Sequence, residues 1–445
     1  MNWATHCRAA TLLFCSAQLQ AQPRIHQVEP MALQIGATTE VTVTGDRLRE
    51  GDHEPVIWSS FNSEWEALPD EKPNPRKVRF RVTLPKGAQP GSGAIRAWTP
   101  KGTSVPCLLL KDDRPGAITF RFKNNAPFTH EIEARAGQQF VCEIWANRLN
   151  QKVDPVLSLR GPDGQLLTLA DDDPVSGADP LLRFKATAAG RHTLEVHDLH
   201  WAAGPFAVLR VGGRSLRKAQ LPNAHHRTRS DPRPIALHLK KGEYLTITPR
   251  THVLGSPAML LMELKEAGRR LSQSGKGDQL DEPLRYRVTK DAACELYVHD
   301  LLGREGLPFA LDISRECPPF IVQQLGNDCH NLKPGQELKL KFRVTRFNYN
   351  GPVSILCKKL DPPESVVIPG KKNDAQLAFR VPECAKPASL LAFRFNTHAE
   401  VEGRAFQGDV LTDEQLKKTP KHLLGWPDGL SGMNFLTVLE GPGKK

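Results

Sequence analysis

The chain has 445 residues, too many for one β-sandwich, and domains of about 100 to 150 residues would give three or four. A hydrophobic content of 39% excludes a disordered chain, and 36 prolines with 34 glycines are typical of short strands joined by turns. The net charge of +11 is concentrated, because residues 214–229 alone hold five Lys or Arg and no acid. This distribution argues against a basic domain face that reads nucleic acid.

Residues 1–21 have the pattern of a secretory signal peptide. They contain Arg8, no acid, the apolar run AATLLFC and a small residue at Ala21, which predicts cleavage before Gln22. A buried first strand or helix is the alternative. No later segment approaches the ~20 apolar residues that span a bilayer. We therefore expect a secreted, periplasmic or cell-surface protein without a transmembrane segment.

Residues 22–113 carry an ordered series of strand patterns. GATTEVTVTG follows an early Val-Glu-Pro, and its Val41 and Val43 point to one face of a strand. VRFRVTLP, the turn GAQPGSG, the strand AIRAW and TPKGTS come next. This series resembles the immunoglobulin-like, plexin and transcription factor (IPT/TIG) module. The resemblance implies an immunoglobulin-like domain that serves as a spacer or docking surface in secreted proteins.

The centre of the chain is repeated. DPLLRFKATAAGRHTLEVHDLHWAAGPFAVLRV, which starts at Asp179, is echoed by EPLRYRVTKDAACELYVHDLLGREGLPFALDIS, which starts at Glu282. The shared VHDL sets an offset of 102 residues, so Asp198 corresponds to Asp300. A repeat of this length is a domain rather than a solenoid unit. Both copies alternate apolar and polar residues between Gly, Asp and Pro turns, which predicts antiparallel β-sandwiches.

The two copies span residues 114–213 and 230–315. In the first copy an apolar strand, the turn GPDG and another strand precede DDD, and this order resembles the pre-peptidase C-terminal (PPC) domain of bacteria. That family is a jelly-roll-like β-sandwich attached to secreted enzymes and surface proteins, so the resemblance implies the same fold here. The second copy is degenerate, because it lacks DDD and has a shorter front.

Three further segments complete the chain. Residues 214–229 are predicted to be a basic linker, and residues 316–410 show an immunoglobulin-like strand series. The tail, residues 411–445, contains TDEQLKKTP, whose Thr and Gln are spaced as a capping box, and NFLTVLEG, a candidate last strand. The predicted fold class is thus all-β, with tandem immunoglobulin-like and jelly-roll-like sandwiches.

Four cysteines lie in the last third of the chain. In an oxidising compartment they could form two disulfide bridges with three possible connectivities. Some could equally be small buried hydrophobic residues. The four are Cys317, Cys329, Cys357 and Cys384.

No catalytic constellation is recognisable. The chain has no HExxH, no GxSxG, no GxGxxG and no GxxxxGKS motif. We therefore expect a protein that is not an enzyme.

The best metal candidate is the run Asp171, Asp172 and Asp173, followed by Asp179. Ca²⁺ takes six to eight oxygens, and a cation would relieve the repulsion among these carboxylates, so calcium is the one candidate cofactor. A solvated turn is the favoured alternative.

Two features near the end of the VHDL strand have a structural and a functional interpretation. His197 and Asp198 point to opposite faces of a strand, so a role for Asp198 in bonding turn amides is favoured over a metal or acid/base cluster. Trp201 lies in a predicted turn and is a candidate stacking platform for sugar, together with Trp58, Trp65 and Trp145. Packing against Phe206 is the favoured alternative for Trp201.

These observations favour a non-catalytic secreted or cell-surface multidomain protein that binds or scaffolds other molecules. The alternative is a substrate-binding accessory or targeting component of a secreted peptidase or other hydrolase. The expected partner is an extracellular protein or polysaccharide, with no specific nucleic acid. The basic segment 214–229 is expected to touch polyanions weakly, through charge alone, or to be a merely solvated linker.

Overall fold

The structure is a computed structural model that describes residues 22–51, 53–173, 178–212, 226–251, 258–274, 282–347, 349–360, 363–401, 403–412, 427 and 429–440. Within these ranges every regular element is a strand, apart from one 3₁₀ turn at Asn147–Leu149. The all-β prediction is confirmed. No helix in these ranges is long and apolar enough to cross a membrane. The predicted signal peptide, residues 1–21, lies outside the described residues.

The first unit is a sandwich of two sheets, ordered β1-β3-β6-β5 and β2-β9-β7-β4. Val41 and Val43 lie on one buried face of β3, as the alternation predicts, and pack with Phe80. The short β8 pairs with β7. The strands are β1 (Arg24–Glu29), β2 (Ala32–Gln34), β3 (Thr38–Asp46), β4 (Val56–Ser59), β5 (Glu64–Ala67), β6 (Lys77–Thr83), β7 (Gly91–Thr99), β8 (Gly102–Thr103) and β9 (Cys107–Asp112).

The second unit has two four-stranded sheets, ordered β10-β17-β12-β15 and β11-β16-β13-β14. Its pairings are all antiparallel. β12, with apolar residues on both faces, lies inside its sheet. The strands are β10 (Ile118–Arg121), β11 (Phe128–Ala134), β12 (Gln139–Trp145), β13 (Pro155–Arg160), β14 (Leu166–Ala170), β15 (Leu181–Lys185), β16 (Gly190–Asp198) and β17 (Phe206–Gly212).

The third unit repeats this topology strand for strand, with sheets β18-β25-β20-β23 and β19-β24-β21-β22. The internal repeat is thus a repeat of fold. Its strands are β18 (His226–Arg227), β19 (Ile235–Leu239), β20 (Tyr244–Arg250), β21 (Leu260–Glu266), β22 (Arg269–Gln273), β23 (Leu284–Arg287), β24 (Ala292–Asp300) and β25 (Pro308–Ser314).

The fourth unit combines a seven-stranded sheet, β30-β29-β33-β34-β26-β28-β31, with the sheet β27-β35-β32 around one core. The tail supplies β35, as the pattern NFLTVLEG predicts, whereas TDEQLKKTP lies almost wholly outside the described residues. The strands are β26 (Phe320–Leu325), β27 (Cys329–Leu332), β28 (Glu337–Arg346), β29 (Val353–Cys357), β30 (Glu364–Ile368), β31 (Asp374–Arg380), β32 (Ser389–Arg394), β33 (Asn396–Val401), β34 (Arg404–Leu411) and β35 (Met433–Val438).

The first and fourth units meet in a buried polar and aromatic contact. Arg96 of β7 is buried, and its guanidinium donates to a carboxylate oxygen of Asp328 at 2.5 Å. The indole of Trp98 donates to the Thr437 hydroxyl at 3.2 Å. A buried ion pair costs a great deal to break, because either charge alone would be left desolvated. The two ends of the chain are therefore held together.

Two further pairs of units are also docked, the first with the second and the third with the fourth. Arg210 of the second unit donates to Asp112 of the first at 2.8 Å, and both side chains are buried. The ring of Tyr244, in the third unit, meets Phe406 of the fourth edge-on, with centroids 5.3 Å apart. The four units are thus joined by side-chain contacts and do not behave as independent domains.

The seven cysteines among the described residues are all free thiols. Of the two possibilities left open by the sequence, the structure shows small, partly or fully buried side chains for Cys317, Cys329 and Cys357, with Cys384 exposed. Burial raises the pKa of the Cys329 thiol to about 12.

Candidate functional site

The end of β16 is fixed by the carboxylate of Asp198. One oxygen accepts the amide of Asp154 at 2.9 Å, and the other accepts the amides of His200 and Ala202 at 3.0 Å each. Burial alone would raise the pKa of Asp198, but these backbone hydrogen bonds hold it below its usual value. The predicted structural role of Asp198 is confirmed, and it shapes the adjoining loop.

The equivalent Asp300 in the third unit caps its loop in the same way but also gains a cation. It accepts the amides of Met259, Leu302 and Arg304, and the Arg304 side chain bonds it at 2.9 Å. Burial opposes ionisation, yet the bonds from Arg304 and Met259 lower the pKa of Asp300 to about 2. In the second unit Ala202 stands where Arg304 would, so Asp198 has no counterpart of the ion pair that Arg304 forms with Asp300.

Trp201 is the most unusual residue of the loop. Its φ is 56°, a left-handed conformation that is a genuine outlier for a bulky residue. The indole stacks on His197, with centroids 4.1 Å apart and planes 2° from parallel, and 38% of the residue is exposed. The third unit has Gly303 at this position, with φ 68°. The loop thus needs a left-handed residue, and the second unit fills that position with a tryptophan instead of a glycine.

The favoured prediction that Trp201 packs on Phe206 was wrong. Phe206 instead lies under the guanidinium of Arg121 and packs against the cluster that joins the first two units. The other candidate tryptophans are occupied by packing, since Trp145 is buried under Arg148 and Trp58 meets Phe435. Trp65 packs on Phe80. Of the four candidate tryptophans, Trp201 alone therefore offers its ring as a stacking surface for a ligand.

An acidic cluster lies beside this loop. Asp154, Asp171 and Asp172 place one carboxylate oxygen each within 4.8 Å of one another. Burial, and then the charges of Asp172 and Asp171, raise the pKa of Asp154, while His200 works in the opposite direction. Asp173 of the predicted metal set does not belong to this group, and Asp154, which strand pairing supplies, was not predicted. Oxygen ligands suit Ca²⁺ in kind, but three fall short of the six to eight that it takes.

The side chain of Asp179 lies in the interior of the second unit. It is fully buried and accepts the amides of Ala146, Asn147 and Arg148, together with the Arg148 side chain at 2.9 Å. Arg148 also bonds Glu143 at 2.8 Å. Both carboxylate oxygens of Asp179 are engaged in this network, so the residue stabilises the turn after β12 and does not serve the predicted metal set.

The described end of the basic segment folds onto the third unit. His226 and Arg227 form β18, while residues 214–225 lie outside the described residues. Arg227, Arg229 and Arg233 line an open pocket of about 790 Å³, which Asp231 and Glu305 also line. Its mixed charges leave the expected weak contact with polyanions a prediction.

A scan of protein families and a search of curated proteins find no match to the chain. Among solved structures, a fragment of the ICAM-5 ectodomain, domains D1 to D4, is 12% identical over 86% of this chain and 96% of that one, with a TM-score of 0.14. Escherichia coli alpha-2-macroglobulin activated by porcine elastase is 9% identical over 86% and 43%, with a TM-score of 0.17. The extracellular region of plexin A4 is 7% identical over 87% and 47%, with a TM-score of 0.15.

The chain spans less than half of the macroglobulin and the plexin. Likenesses with TM-scores this low carry no argument about function. The functional assignment therefore rests on the geometry of the second unit.

Proposed function

We propose that the protein is a non-catalytic binding or scaffold protein of the cell exterior. Its docked sandwiches act as one support, and the loop after β16 presents the binding site. The first unit would be an IPT/TIG-like module and the second and third units PPC-like domains. The identical strand order of the second and third units supports their being two copies of one domain, and the PPC assignment itself rests on the sequence resemblance. The predicted signal peptide supports the location.

One observation carries this proposal, namely the exposed Trp201 at a position that the third unit gives to Gly303. A left-handed conformation costs a non-glycine residue about 1 to 3 kcal/mol, and such strain persists where it serves function. Aromatic faces bind apolar surfaces and cations, and the carboxylates of Asp154, Asp171 and Asp172 at the base of the same loop add hydrogen-bond acceptors. The second unit therefore has a recognition surface that the third unit lacks.

Capture of ligands by the immobilised full-length chain tests the proposal. Arrays of oligosaccharides and random peptides are probed with the wild type and with Trp201→Gly, which adopts the residue of the third unit and so preserves the loop. We expect binding by the wild type and its loss in the variant. Turnover of peptidase, esterase or glycosidase substrates by the purified chain would contradict the proposal. So would ligand capture that is unchanged by Trp201→Gly.

A further inference from the structure

The strand β14 is an open edge with exposed leucines. It is the last strand of the sheet β11-β16-β13-β14, and no described strand pairs with its outer side. Leu166, Leu167 and Leu169 are 53%, 45% and 55% exposed. Proteins normally protect such edges with charges, because the free amides and carbonyls of an apolar edge accept another strand.

The third unit shows that the fold does not need these leucines. β22 is the counterpart of β14, and both have a bulge at the same point of the ladder. By pairing register, Arg270 replaces Leu166 and Gln273 replaces Leu169. Arg270 also bonds Glu263 at 3.2 Å, so that edge is charged. Of the two repeats, the second unit alone has lost its edge protection.

The acidic cluster adds charge at one end of this edge. Asp171 and Asp172 directly succeed β14, are exposed, and have no cationic partner among the described residues. Burial and their negative charge raise the pKa of the neighbouring Asp154. A cation brought by a partner would relieve this repulsion. The end of the strand thus selects for Lys or Arg.

We propose that β14 accepts an extended segment of a partner protein as an added antiparallel strand. The segment carries apolar residues over Leu166 and Leu169 and a Lys or Arg at its N-terminal end, where an antiparallel strand reaches Asp171 and Asp172. Main-chain hydrogen bonds provide the pairing, and the side chains provide the specificity. This inference rests on the proposed function and names the class of partner.

A second copy of the chain fits less well. Antiparallel pairing of β14 with itself about Thr168 would bring Asp163 of one copy towards Asp172 and Asp173 of the other. Like charges placed side by side across strands are destabilising. Charge complementarity therefore favours a basic segment of a different protein.

Fluorescence anisotropy with synthetic peptides tests the inference. The probe is a labelled peptide of two lysines followed by Val-Thr-Val-Thr-Val, blocked at both ends. One control has glutamates for the lysines, and another has proline for the central valine, which removes a backbone donor. We expect the lysine peptide to bind the full chain and the glutamate and proline peptides to bind at least roughly ten-fold more weakly, as for the loss of an anchor contact.

Variants locate the binding. The double variant Leu166→Arg/Leu169→Gln carries the residues of the third unit and keeps the fold. Its affinity for the lysine peptide should be at least roughly ten-fold lower than that of the wild type. Leu302→Gln removes a leucine that is 65% exposed elsewhere and should change nothing. The inference would be overturned if the double variant bound the lysine peptide as tightly as the wild type does. It would also be overturned if the wild type bound the glutamate peptide as tightly as the lysine peptide. A wild-type dimer in sedimentation that the double variant abolishes would overturn it as well, because the occupant would then be a second copy.

Failure of this inference is distinguishable from failure of the proposed function. Ligand capture that depends on Trp201 while the peptides do not bind would reject the added strand alone. Absence of any Trp201-dependent capture, with peptides bound or unbound, would reject the site after β16.

Discussion

Replacing Trp201 by glycine and by alanine separates the strain of its backbone from the contacts of its side chain. Both variants lose the stack on His197, worth about 0.5 to 1.5 kcal/mol. Alanine keeps the left-handed penalty at φ 56°, whereas glycine adopts this conformation freely. We therefore expect Trp201→Gly to be more stable than Trp201→Ala by about 1 kcal/mol.

Hydrogen exchange of the β16 and β17 amides in the full-length chain measures this difference. A difference of about 1 kcal/mol corresponds to roughly a five-fold change in the opening equilibrium. Ala202→Gly is the matched control, because Ala202 is not among the left-handed residues and glycine should there lower stability by about 0.4 to 1 kcal/mol. If alanine proves as stable as glycine at position 201, the strain assigned to Trp201 does not exist.

Four further predictions concern charge. Asp300→Asn should remove about 2 kcal/mol of stability from the third unit, because the pKa of this carboxyl is lowered from 3.8 to about 2 in the folded state. The ionised carboxylate therefore stabilises the folded state above pH 4, and this contribution is lost as the pH falls towards 2. A melting temperature of the wild type that does not change over this pH range would contradict the prediction. Asp179→Asn should cost about 3 kcal/mol in urea unfolding by breaking a buried pair, and a near-neutral change would show that the network is dispensable. With water completing the coordination that three carboxylates leave short, millimolar Ca²⁺ should raise the hydrogen-exchange protection of the second unit in the wild type but not in Asp171→Asn/Asp172→Asn; no effect on the wild type would establish the solvated turn. Binding of an anionic polymer through residues 214–229 should vanish at moderate salt, and persistence would reveal a structured site.

Local patterns carried most of the fold prediction. The alternation in β3 and the shared VHDL identify strands because side-chain direction in a strand has a period of two. Asp198 was assigned correctly because bonding between an aspartate and the next few amides is a local event. The repeat offset of 102 residues also placed Asp300 correctly, since both copies use the same turn.

Contacts that depend on three-dimensional pairing could not be read from the sequence. Asp154 joins Asp171 and Asp172 only because β13 and β14 pair, and it lies 17 residues from Asp171. Trp201 reaches His197 through a left-handed turn that its own residue type disfavours. The alignment of Trp201 with Gly303 in the two repeats was the one signal that could have revealed it.

A hydrogen-exchange footprint of the intact chain with a captured ligand tests whether the second unit holds the binding site. We predict added protection in the β16 loop around Trp201 and along β14, with none in the equivalent loop and strand of the third unit. Protection confined to another unit, or shared equally by both repeats, would contradict the assignment of the binding site to the second unit.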